Sequence, residues 1–99
     1  MTVNEGMDNG AVRYVPTSDV AGRVIDGEAL LVLPERGEAI VLNEVGSRIW
    51  ELISQSEQVS KIVDIIIQEF DVTRETAKQD VSEFCADLER RGLVWPAYT

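Results

Sequence analysis

The chain has 99 residues, 44% of them hydrophobic, which is enough for one compact domain with a real core and too little for two. Nine Lys and Arg against 18 Asp and Glu give a net charge of -9, a balance that disfavours nucleic acid and anionic lipid as partners. There is no histidine and a single cysteine, so the usual general base, the commonest metal ligand and an internal disulfide are all excluded.

No phosphate-cradling glycine loop or cluster with metal-ligand spacing is present, and the composition predicts a protein without catalytic activity or cofactor. The amino terminus lacks a basic start followed by an apolar stretch, and no apolar run is long enough to cross a bilayer. A cytoplasmic location is expected.

Residues 1–10, polar and acidic, read as a disordered arm, residues 11–96 as the domain, and residues 97–99 as a loose tail. Val12 to Val15 is a short β-prone run closed by Pro16. Val20 to Ile25 and Glu28 to Leu33 flank Asp26-Gly27, a strong hairpin turn signal. Pro34 to Gly37 then joins Glu28–Leu33 to Glu38–Leu42 in a second hairpin.

Asn43 can cap a first helix in which Val45, Ile49, Leu52 and Ile53 recur at helical spacing, with Glu44, Ser47, Arg48 and Glu51 on the other faces. Trp50 is expected in or beside the core. A polar break at 54–58 precedes a second helix from about Val59 to Phe70, whose broad apolar stripe predicts deep burial; Gln58 is a weak cap. Thr73 caps a third helix with a stripe at Ala77, Val81, Phe84 and Leu88, and Gly92 is its stop. Cys85 flanks the stripe as a small buried apolar residue, and Leu93 to Trp95 folds back as an extended cover. The predicted fold is α+β, a winged helix-turn-helix-like domain with an N-terminal three-stranded antiparallel sheet followed by three helices.

Three segments, Leu42-Asn43-Glu44-Val45-Gly46-Ser47-Arg48-Ile49-Trp50-Glu51-Leu52, then Val59 to Val72, then Asp80-Val81, Phe84, Leu88 and Gly92-Leu93-Val94, resemble the PqqD-like family in order and spacing. The resemblance covers about residues 20–95 and departs from the family pattern at Gln58 and in the compact Pro34–Gly37 turn. It implies a stand-alone recognition element that binds the leader of a ribosomally made precursor peptide and presents the precursor to a modifying enzyme. That enzyme is a leader protease or cyclase in lasso-peptide pathways, which are favoured, or a radical SAM enzyme in quinone-cofactor biosynthesis.

The expected mechanism is strand addition at the edge formed by Glu38, Ala39, Ile40, Val41 and Leu42, with Ile40 and Leu42 on one face and Ala39 and Val41 on the other. The third helix supplies the opposite wall. Phe84 and Leu88 are candidates to hold an apolar leader anchor, Asp80 and Asp87 to meet basic or amide groups, and Arg91 to meet a leader carboxylate. Core packing for Phe84 and Leu88, and a solvated face for the charged residues, are the plain alternatives. A winged-helix DNA-binding protein is the competing class, although Arg74, Glu75, Lys78, Gln79, Asp80, Glu83, Asp87 and Glu89 on the third helix are acidic on balance. A dimer joined through the exposed edge is a third reading; monomer or weak dimer is expected.

Overall fold

The computed structural model describes residues 11–98; the proposed arm and Thr99 lie outside the described residues. Five strands and three helices follow in the order β1 (Arg13–Pro16), β2 (Ala21–Ile25), β3 (Glu28–Leu33), β4 (Glu38–Val41), α1 (Glu44–Ser54), α2 (Val59–Glu69), α3 (Arg74–Arg90) and β5 (Val94–Ala97). The expected three-stranded antiparallel sheet is present as β2-β3-β4, with β3 in the middle. β1 stands apart from it and pairs antiparallel with β5, Val15 opposite Trp95. The fold-back after α3 is therefore a paired strand reaching Ala97.

The turns obey their residues. Asp26 (φ 53°) and Gly27 (φ 81°) both adopt positive φ, the conformation a tight hairpin demands of its two central residues. Pro34–Arg36 forms one 3-10 turn between β3 and β4.

The helix starts are equally local. Asn43 Oδ1 accepts the Gly46 N–H at 2.8 Å, and Thr73 Oγ1 accepts the Thr76 N–H at 3.1 Å. Removing the second cap in Thr73→Ala is expected to cost about 1 kcal/mol, measured by urea denaturation. Gln58 makes no side-chain cap for α2. Instead the Val12 carbonyl accepts the Val59 N–H at 2.9 Å, so the chain entering β1 completes the helix start.

β3 alternates cleanly: Ala29, Leu31 and Leu33 are buried against the helices. They meet Ile49, Trp50, Leu52 and Ile53 of α1, Ile62, Val63 and Ile66 of α2, and Val81 and Leu88 of α3 in one core. On α3 the buried stripe is Ala77, Val81, Cys85 and Leu88. Cys85 is buried as expected, while Phe84, expected on the inward stripe, is half-buried and turned toward α1.

Burial raises the Cys85 thiol from its ordinary 9.0 to about 12, with a smaller contribution from Glu89. The unfolded chain loses that proton above about pH 9 while the folded chain keeps it, so stability is full below that pH and falls as pH rises toward 12. A thiol reagent at pH 8 is accordingly expected to label the native protein far more slowly than the denatured one.

Ser47 corrects the sequence reading. It is not on a solvated face but only 2% exposed, at the junction of sheet and helix. Its Oγ accepts the Ala29 N–H at 2.6 Å and donates to the Leu42 carbonyl at 3.2 Å. The hydroxyl thus stands between β3 and the end of β4 where a direct ladder bond would otherwise form.

Candidate functional site

The three-stranded sheet has two edges, β2 and β4. Register decides which groups of β4 are free. The Leu42 N–H donates to the Ala29 carbonyl at 2.9 Å, and the pairing runs Leu30 to Val41, Leu31 to Ile40, Val32 to Ala39 and Leu33 to Glu38. Antiparallel ladders alternate, so Glu38, Ile40 and Leu42 turn their backbone groups toward β3. Ala39 and Val41 turn theirs outward, two N–H and two C=O groups along an open edge. Their side chains lie on the sheet face away from the helices, where Val41 is 68% exposed; Ile40 is half-buried and Leu42 buried.

α3 runs beside this edge in the opposite direction. At the start of β4, Arg36 Nη1 donates to the Arg91 carbonyl at 2.7 Å. At its far end Phe84 lies against α1 at Gly46, where an added Cβ would sit 3.1 Å from Phe84 Cε1 and 3.6 Å from Leu42 Cβ. Gly46 therefore permits a close approach of helix to ring. Beside it opens a pocket of about 310 Å³ lined by Asn43, Val45, Gly46, Ile49, Asp80, Glu83 and Phe84.

The residues named from sequence divide three ways. Phe84 and Asp80 line the pocket. Leu88 is 3% exposed, part of the core beneath the helix rather than a surface a ligand could touch. Asp87 and Arg91 hold each other at 3.0 Å, and Asp87 also pairs with Arg90 at 2.9 Å, so their charges are largely satisfied within α3. Asn43, Val45, Gly46, Ile49 and Glu83 also line it, although the sequence marked them for capping, packing, family resemblance or a charged face and not as ligand contacts; the glycine inside an apolar helical turn was the signal available for the pocket.

The matching family is coenzyme PQQ synthesis protein D (PqqD), aligned over residues 28–94. The chain belongs to the PqqD family. No curated protein matches the sequence. Among solved structures it is similar to TbiB1 in complex with the TbiA(beta) leader peptide, at 32% identity and a TM-score of 0.76, covering 81% of this chain and 93% of that one. It is also similar to a lasso peptide synthetase B1 complexed with the leader peptide, at a TM-score of 0.77, covering 85% of this chain and 99% of that one. With 18% identity, the second likeness bears on the fold alone. The matched PqqD segment includes β3, β4 and all three helices, hence both walls of the groove. Among the described residues no helix is long and apolar enough to cross a membrane.

Proposed function

We propose that this PqqD-family chain is a non-catalytic recognition protein that captures the leader of a precursor peptide in lasso-peptide biosynthesis. The observation that carries this reading is the β4 edge, open at Ala39 and Val41 and flanked by α3 with a pocket at its head. An extended leader completes the ladder there, its backbone supplying affinity and its alternate side chains supplying selectivity. The likeness to TbiB1, whose structure holds a leader peptide, supports the same choice of ligand. Glu38, Ala39, Ile40, Val41 and Leu42 form the strand that receives it, with Asp80 and Phe84 on the opposite wall. Leu88, Asp87 and Arg91 act from behind, by packing and by fixing the end of α3. A modifying enzyme, the leader protease or cyclase, receives the bound precursor.

The second reading, a partner for a radical SAM enzyme in quinone-cofactor biosynthesis, is favoured by the family's own description. Fluorescence-anisotropy titration against the leaders of both precursor types separates the two. Saturable binding of a lasso-type leader at micromolar concentration or below, about -8 kcal/mol or better, with weaker binding of the quinone-type leader, is expected. Preference for the quinone-type leader reverses the assignment, and binding of a DNA duplex in place of either leader refutes peptide recognition.

A further inference from the structure

The pocket at the head of the groove joins an apolar floor to an acidic rim. Phe84, Val45 and Ile49 supply the floor; Asp80 and Glu83, one turn apart on α3, supply the rim. Neither carboxylate has a cationic partner among the described residues, whereas every Arg–carboxylate pair of the chain's described part lies elsewhere. Glu83 accepts one bond from Gln79, at 3.1 Å, which leaves its charge intact. The amino terminus of α1 also faces this space and contributes about half a positive charge. Against it stand the two carboxylates of the rim, Asp80 and Glu83, so the pocket remains negative.

Register places one leader residue at this spot. A strand added to β4 bonds through Ala39 and Val41, and residues directly opposite one another in a ladder share a face. The leader residue opposite Val41 therefore points to the outer face of the sheet. The residue opposite Leu42 points inward, and Leu42 and Phe84 both border Gly46.

We propose that the Asp80–Glu83–Phe84 pocket selects a lysine or arginine of the leader, in the position opposite Leu42, holding its aliphatic stem on Phe84 and its cationic tip between the two carboxylates. The assignment rests on the leader-binding reading and adds a chemical rule to it. Long cationic side chains suit such a site because their stems bury on apolar surface while the charge stays at the rim. At the other end of the groove Asp87 already neutralises Arg91, so discrimination by charge is concentrated at the pocket.

The test is a substitution scan of the lasso-type leader peptide that binds this chain most tightly in the anisotropy titration. Each leader position is replaced in turn by lysine, norleucine and glutamate, and binding is measured at low and high salt. At one position lysine is expected to bind about five times more tightly than norleucine, and glutamate more weakly than either, with the spread shrinking at high salt. In the variant Asp80→Asn/Glu83→Gln the ratio of lysine-peptide to norleucine-peptide affinity is expected to fall to about one. If every position tolerates the three residues equally, or the lysine preference survives in that variant, the charge rule is wrong although leader binding stands. If no peptide of the scan binds, the leader-binding reading fails and the rule fails with it.

Discussion

Replacing Val41 by proline is expected to weaken leader binding at least about tenfold, roughly 1.4 kcal/mol, with only a small change in melting temperature. The separation of the two effects follows from register. The Val41 N–H points away from β3, so its loss removes no bond of the sheet, and edge positions of this kind tolerate proline. What disappears is one of the two donors offered to an incoming strand, and the pyrrolidine ring occupies the edge where that strand must approach. Val41 is 68% exposed, so little burial is lost. Ile40→Pro makes the contrasting control, because the Ile40 N–H faces β3 opposite Leu31 and its loss damages the sheet itself. Anisotropy titration and thermal denaturation of the two variants read binding and folding separately. Equal binding by Val41→Pro and the parent would remove β4 from the recognition mechanism.

Ser47→Ala is expected to destabilise the domain by about 1–3 kcal/mol, the cost of stranding a buried donor. The Ala29 N–H has the Ser47 hydroxyl as its acceptor, at 2.6 Å, and Ala29 is fully buried. The Leu42 carbonyl loses its bond from the same hydroxyl. In a domain of this size each kcal/mol shifts the melting temperature by about 4–8 °C. A urea midpoint that falls with unchanged slope identifies lost stability rather than a changed unfolded state. An unchanged midpoint would mean that another group takes over the Ala29 donor.

Those two positions also mark where the sequence was and was not legible. The hairpins were readable because Asp26-Gly27 and the Pro34–Gly37 turn leave the chain few other conformations, and the helices because Asn43 and Thr73 cap apolar stripes of the right period. The edge followed from the same reasoning, since β4 is the last strand before the helices. Ser47 was misplaced because its polarity outweighed its position, although it stands three residues before Trp50 on the buried side of α1. Cys85 is buried as expected, whereas Phe84 lies half-buried at the margin of the stripe, because adjacent helical positions are only about 100° apart and the larger hydrophobe takes precedence in a stripe count. The pairing of β1 with β5 joins the two ends of the domain, and short local patterns carry no record of so distant a partner. The pocket, likewise, is made by α1 and α3 together and exists only once both are packed.

The most direct test of leader capture at β4 is amide hydrogen exchange, residue by residue by NMR, on the chain alone and saturated with its leader peptide. The Ala39 and Val41 amides, outward-facing in the free protein, are expected to become strongly protected when the leader binds, while those of Gly22 and Val24 on the opposite edge stay unchanged. Protection that appears along β2, or leader binding that leaves Ala39 and Val41 exchanging as before, would contradict strand addition at β4.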